Sequence, residues 1–154
     1  MTLLRPLLFG VLLALPAQAD GPGKDHAEGL EIGGGWTAAT SHSEARVFVR
    51  IENHGDEAAN VVGFHSPLGP VVLMAPPLDG GEPVPLGAYP LGPEGRLDMS
   101  PDGPFLLISD VATPLQEGTE FEMTVFLEPQ GEFAIHVDVE GPDAESHSHV
   151  GHNH

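Results

Sequence analysis

Cysteine is absent from the 154 residues of this chain. Its absence excludes disulfides, thiolate metal sites, cysteine redox chemistry and a lipobox cysteine from the sequence. A metal ion could therefore be bound only by histidine, methionine, carboxylate, backbone or water ligands. Stability must come from a hydrophobic core, because no covalent cross-link between side chains is available.

Basic side chains are scarce. Five lysines and arginines stand against 23 aspartates and glutamates, and the formal net charge is −18 at pH 7. Phosphate backbones and anionic lipids repel such a chain, so nucleic-acid binding and electrostatic docking on a membrane are excluded. The negative charge is expected to attract cations or a basic face on a partner; the alternative is that it simply keeps the protein soluble.

No apolar run reaches the ~20 residues that a transmembrane helix needs. The run Leu7–Leu15 follows Arg5 and precedes Ala17-Gln18-Ala19, which is the arrangement of a cleavable signal peptide. We therefore assign residues 1–19 to a signal peptide and residues 20–29 to a flexible arm. The exported remainder has the size of one domain, with no membrane insertion after cleavage.

Catalytic signatures are missing too. The chain has no cysteine nucleophile, no Gly-x-Ser-x-Gly elbow, no phosphate-binding glycine loop and no helical His-Glu-x-x-His. No segment has a helical period, and only Ala112–Glu117 could form as much as a single helical turn. These absences favour a binding protein over an enzyme.

Short apolar segments with alternating side chains are what the chain does contain. Phe121–Leu127 and Phe133–Val139 have a period of two, which predicts half-buried strands joined by a hairpin at Glu128-Pro129-Gln130-Gly131. Ala75–Gly95 carries six prolines and five glycines, so it is predicted to be an irregular loop with short edge strands. Five further segments are predicted to be strands: Leu30–Ile32, Arg46–Glu52, Val61–Phe64, Val71–Met74 and Phe105–Ile108.

The order of these segments resembles the periplasmic copper chaperone family (PCuAC). Pro101-Asp102-Gly103, an apolar run, Pro114–Gly118 and two alternating strands are similar to the C-terminal half of that family. Val49–Gly55 resembles its strand ending in an Asn-x-Gly turn, and Val71–Met74 resembles its first ligand strand. The resemblance covers about Leu30 to Val139.

The resemblance implies an all-β fold, a cupredoxin-like antiparallel β-sandwich over residues 30–140, in a periplasmic protein. It also implies a departure from the family, which binds Cu(I) with histidine and methionine, including a His-x-Met pair. That pair falls here on Phe105 and Leu107, which have no lone pair to offer a metal. The earlier histidine position is Met74, and Gly81–Leu91 contains no methionine for the remaining ligand.

The C-terminal tail, residues 141–154, is the strongest chemical signal. Val150 is its one sizeable apolar side chain, so the tail is predicted to be disordered. Four of the last eight residues are histidines: His147, His149, His152 and His154. Imidazole suits Cu(II), Zn(II) and Ni(II), whereas thioethers favour Cu(I). We predict an exchangeable metal site here, to which Asp143 or Glu145 could add an oxygen.

Inside the domain, Met74 is the favoured metal ligand because the resemblance assigns it to the ligand strand. His65 and Met99 are its candidate neighbours, although no spacing rule joins the three residues. Met123 is expected to pack in the core, since it alternates in phase with its apolar neighbours. His54 lies in an Asn-His-Gly turn and is expected to be exposed.

Three functions remain open on these grounds. The resemblance and the tail favour a copper chaperone that captures Cu(II) or Cu(I) with the tail. By family analogy it would deliver the ion to a recipient metalloprotein, such as a cytochrome oxidase copper site. The second hypothesis is a zinc or nickel scavenger or buffer, and the third is a metal-independent interaction domain. A monomer is expected in each case.

Overall fold

The computed structural model describes residues 29–77 and 79–146. The predicted signal peptide, nearly all of the predicted arm and the four tail histidines lie outside the described residues. Within those ranges the protein forms twelve β-strands and no α-helix, which confirms the all-β prediction. No helix that could span a membrane is present in that part of the chain.

The strands are short except for the last two. Their bounds are β1 (Leu30–Ile32), β2 (Gly35–Ala38), β3 (Ala45–Phe48), β4 (Arg50–Asn53), β5 (Ala59–His65), β6 (Val71–Ala75), β7 (Val84–Pro85), β8 (Tyr89–Leu91), β9 (Arg96–Asp98), β10 (Phe105–Ile108), β11 (Glu120–Glu128) and β12 (Gly131–Glu140). They form a nine-stranded sheet, β7-β6-β10-β3-β2-β12-β11-β5-β8, and a three-stranded sheet, β1-β4-β9. Neighbouring strands are antiparallel, except that β2 and β12 run parallel.

The β11–β12 hairpin has the period of two that its sequence predicts. Alternate side chains of the two strands are buried: Met123, Val125, Leu127, Phe133, Ile135, Val137 and Val139. The side chains between them are half-buried or exposed. The hairpin and its turn at Glu128–Gly131 are therefore confirmed, and Met123 packs in the core as expected.

The chain changes sheet at Val49, between β3 and β4. The prediction of one continuous strand over Arg46–Glu52 is corrected by this crossing. A regular alternation assigns Phe48 to the same face as the exposed Arg46 and Arg50, yet Phe48 is buried. Its ring packs against Trp36 with the centroids 4.6 Å apart.

Gly35 in β2 lies where a side chain would not fit. A Cβ atom on this residue would be 2.9 Å from a methyl group of Val49 and 3.0 Å from one of Val137. Glycine is needed here because the backbone approaches these side chains closely. The close approach accounts for Gly35 but not for Gly33 and Gly34, where a Cβ atom would make only ordinary van der Waals contacts.

Beyond the end of β6, the described residues of the proline-rich segment Ala75–Gly95 form two very short strands, as predicted. β7 and β8 lie at the two outer edges of the nine-stranded sheet. Pro85 and Pro90 belong to these strands. An edge strand tolerates proline because its outer side has no neighbouring strand to which a backbone N–H must donate a hydrogen bond. Buried residues from both sheets form one hydrophobic core. Because apolar burial supplies this core, the domain is expected to fold without metal.

Candidate metal sites

The predicted tail begins where β12 ends. Its first residues form a turn in which the Ala144 amide donates a hydrogen bond to the Gly141 carbonyl at 3.0 Å. Ala144 is half-buried against the core. With Pro142, His42 and Glu44 it lines a cavity of about 540 Å³. The four tail histidines lie beyond the described residues, so their grouping stays a prediction.

Met74 is buried in β6, between β7 and β10. Its register partners are Phe105 in β10 and Pro85 in β7. Met74 is 9% exposed and Phe105 is 3% exposed. The strand of Met74 and the segment that begins at Phe105 are therefore direct neighbours, as the resemblance implies. Phe105 offers no donor atom to an ion beside the Met74 sulfur.

A guanidinium group covers the Phe105 ring. The Arg46 Cζ atom lies 4.5 Å from the ring centroid, in a cation–π arrangement. Arg46 is also the register partner of Leu107 in β10. We call Met74, Phe105, Leu107 and Arg46 the apolar corner. A fixed positive charge over an aromatic ring repels a metal cation, so the corner suits packing better than metal binding.

His65 and Met99 lie in different surroundings from Met74. His65 is exposed at the end of β5, opposite Thr124. Met99 is 5% exposed and follows β9 in the three-stranded sheet, where its amide donates to the Val49 carbonyl at 3.2 Å. None of the three candidate ligands is a register partner of another.

A different group of potential ligands comes together on the three-stranded sheet. Glu31 in β1 and Glu52 in β4 are register partners, and His54 follows β4. The His54 Nε2 atom lies 3.6 Å from a carboxylate oxygen of each glutamate. One donor atom from each residue lies within 4.8 Å of the other two. We call these three residues the carboxylate–histidine cluster.

The turn that carries His54 is fixed by the buried side chain of Asn53. Its Nδ2 group donates to the carbonyls of Glu57 at 2.8 Å, Gly92 at 3.1 Å and Leu91 at 3.2 Å. Its Oδ1 atom accepts a hydrogen bond from the Gly55 amide at 3.0 Å. Asn53 is 2% exposed, so this network gives the Asn-x-Gly motif a structural role.

Gly29 holds the same turn from the other side. Its carbonyl accepts a hydrogen bond from the His54 amide. Its φ is +83°, and a Cβ atom here would be 2.6 Å from the Gly55 Cα atom. The backbone on both sides of His54 is thus held close to β1.

Sequence reasoning found the exposed His54 but not the cluster. The signal available was the Glu52-Asn53-His54 spacing, since residues two apart on a strand share a face. Glu31 lies 21 positions earlier, and only the β1–β4 register brings it opposite Glu52. That register could not be read from the sequence.

The LpqE-like family model, described as "Putative lipoprotein LpqE-like", matches residues 30–139. The chain belongs to the LpqE-like family. The matched range covers all twelve strands except the last residue of β12. No curated protein matches the chain.

Solved structures share the fold of this LpqE-like chain. The apo PCuAC domain of PmoF2 is 24% identical, with a TM-score of 0.67 over 78% of this chain and 96% of that domain. The copper-bound PCuAC domain from PmoF2 is 23% identical, with a TM-score of 0.64 over 76% of this chain and 97% of that one. The Cu(I) form of DR1885 from Deinococcus radiodurans is 22% identical, with a TM-score of 0.56 over 73% and 78%. The fold implied by the resemblance is confirmed.

Proposed function

We propose that this protein is a copper-binding protein of the copper chaperone type. The observation that carries the proposal is its fold, shared with the copper-bound PCuAC domain from PmoF2. Four histidines in the last eight residues supply imidazole donors that suit copper. The role is one of binding and transfer, and copper is the cargo.

The tail imidazoles are the proposed ligands, because the apolar corner does not fit copper. Of the corner residues only Met74 has a donor atom, and its neighbour Phe105 lies beneath the Arg46 guanidinium. The Phe105 ring has no lone pair to donate, and the Arg46 guanidinium repels cations. Both disfavour Cu(I) binding beside Met74. His65 and Met99 stay candidate auxiliary ligands, although neither is a register partner of Met74.

Delivery to a recipient metalloprotein is the second part of the proposal. The predicted disorder of the tail favours an exchangeable site over a rigid one. The formal charge of −18 favours a basic docking face on the recipient. By analogy with the resembled family, the recipient would be a copper site such as that of cytochrome oxidase. We expect this exchange to take place in the periplasm, because residues 1–19 have the pattern of a signal peptide.

A zinc or nickel buffer is the alternative that one observation favours. The carboxylate–histidine cluster offers one nitrogen and two oxygens, a donor set that suits Zn(II) better than Cu(I). Tighter binding of Zn(II) or Ni(II) than of copper by the protein would support this alternative.

Metal titration tests the proposal. The protein without a purification tag would be titrated with Cu(I), Cu(II), Zn(II) and Ni(II) against competing chelators. A variant with His147, His149, His152 and His154 replaced by alanine should lose the tighter copper site. The matched control is His136→Asn, which removes an exposed histidine of β12 and should leave copper affinity unchanged. Equal copper affinity in the wild type and the fourfold variant would refute the proposal, and no binding of any metal would favour the interaction-domain hypothesis.

A further inference from the structure

We propose that Glu31, Glu52 and His54 form a binding site for a divalent ion of the zinc class. The site would lie on the three-stranded sheet, apart from the apolar corner and independent of the tail. This inference does not depend on the proposed copper function, because none of its ligands takes part in that proposal.

Strand register is the first argument. Glu31 and Glu52 are directly opposite each other across β1 and β4. Like charges in such a pair destabilise a sheet, unless a positive group lies between them. His54 is two residues beyond Glu52, so its side chain lies on the same face of the strand. The backbone therefore directs two carboxylates and one imidazole toward one point.

The distances are the second argument. Both contacts from His54 Nε2 to the glutamate oxygens are 3.6 Å long, which exceeds the 2.7–3.2 Å range of N–H···O hydrogen bonds. Zinc bonds to histidine nitrogen and carboxylate oxygen in tetrahedral geometry separate neighbouring donors by about 3.3–3.6 Å. The imidazole is thus spaced from each carboxylate as it would be around a shared ion. A small rotation of the glutamate side chains would bring their oxygens to the same spacing.

The surroundings supply rigidity and room for a fourth ligand. Asn53 is buried and fixes the turn at His54 through four hydrogen bonds. Glu31 and Glu52 also line a cleft of about 320 Å³. Water from this cleft could complete a four-coordinate site, as in zinc sites with three protein ligands. One nitrogen and two oxygens suit Zn(II) and disfavour Cu(I), which prefers soft sulfur ligands.

Zinc titration of the full chain tests this site. The four tail histidines are first replaced by alanine, so that the tail contributes no imidazole to the zinc site. Zinc chloride is then titrated into this protein and into versions that also carry Glu52→Gln or His54→Asn. We expect one zinc ion per chain, with an affinity that each substitution weakens by at least the ~10–100-fold seen when a supporting residue of a metal site is lost.

A second glutamate–histidine pair provides the matched control. Glu122 and His136 are exposed register partners on β11 and β12, and they offer two donors where the cluster offers three. Glu122→Gln and His136→Asn should leave zinc affinity unchanged. Thermal melting without metal would show that each variant folds, and zinc should raise the melting temperature of the controls but not of the cluster variants.

Cobalt(II) gives a readout of geometry. Bound to the protein without tail histidines, cobalt(II) should produce the strong visible absorption of a tetrahedral ion. This absorption should be absent when that protein also carries His54→Asn. Failure of the protein without tail histidines to bind zinc would overturn the inference, as would zinc binding unaffected by Glu52→Gln and His54→Asn. The three residues would then be only a group of neighbouring polar side chains.

Discussion

The apolar corner and the carboxylate–histidine cluster lie in different sheets and offer a metal ion opposite chemistry. In the corner, Met74 and Phe105 are buried side by side and a guanidinium covers the aromatic ring. In the cluster, side chains that are 23–52% exposed present one nitrogen and two carboxylates at metal-like spacing. The corner thus buries Met74 and Phe105 in the hydrophobic core, whereas the cluster presents donor atoms at the surface.

The fold alone therefore does not say where a metal ion binds. Met74 and Phe105 belong to the hydrophobic core. Donors come together elsewhere because two short strands pair in a particular register. Function in this family must therefore be argued from the side chains of each chain.

The largest effect is expected from removing the corner's aromatic ring. Phe105→Ala should lower the free energy of unfolding by ~3–5 kcal/mol, because truncation of a buried phenylalanine leaves a cavity. Urea unfolding measures this loss. Val62→Ala is the control, since Val62 is an apolar strand residue that is 41% exposed and should change stability little. A loss of under ~1 kcal/mol for Phe105→Ala would show that the corner is open and available for binding.

Loss of Asn53 should have the next largest effect, at the other region. Asn53→Ala leaves buried carbonyls without their donor, which typically costs ~1–3 kcal/mol of stability. It should also weaken zinc binding by the cluster, because the turn at His54 is no longer fixed. The control is Asn60→Ala, at an exposed position of β5. Full zinc affinity in Asn53→Ala would show that the turn does not position His54.

Introducing metal-donor side chains into the apolar corner should strengthen Cu(I) binding there. The test starts from the protein whose four tail histidines are replaced by alanine. Adding Phe105→His, Leu107→Met and Arg46→Gln to it should raise Cu(I) affinity by about tenfold or more, equivalent to about 1.4 kcal/mol. The new side chains would face the Met74 strand, since Phe105 pairs with Met74 and Leu107 with Val72. Competition with a Cu(I) chelator measures the gain. Arg46→Gln alone is the control and should bind Cu(I) no better than the background protein.

The smallest effect is expected at the ion pair beside the cluster. Arg50 and Asp98 are register partners whose side chains lie 3.3 Å apart and are 59% and 43% exposed. Exposed ion pairs contribute only ~0–1 kcal/mol, so Arg50→Gln should hardly change the denaturation midpoint. Zinc affinity should also stay nearly constant, and a large fall would show that Arg50 organises the cluster.

The sequence predicted those parts of the fold that depend on local patterns. Alternation in β11 and β12 predicted their buried faces, and the proline content of Ala75–Gly95 predicted short edge strands. The crossing at Val49 could not be predicted, because the alternation continues through it while the chain changes sheet. The cluster was missed for a similar reason, since the pairing of Glu31 with Glu52 is a tertiary register that local composition does not encode.

X-ray absorption of the copper-loaded full chain identifies the copper ligands, because it reports the atoms bonded to the ion. We expect the tail imidazoles to bind copper and the apolar corner to bind none. The spectrum should therefore show nitrogen and oxygen neighbours with imidazole scattering and no sulfur. Sulfur in the first coordination shell would come from methionine, since the chain has no cysteine. That result would place a methionine such as Met74 or Met99 among the copper ligands and would refute binding by the tail imidazoles alone.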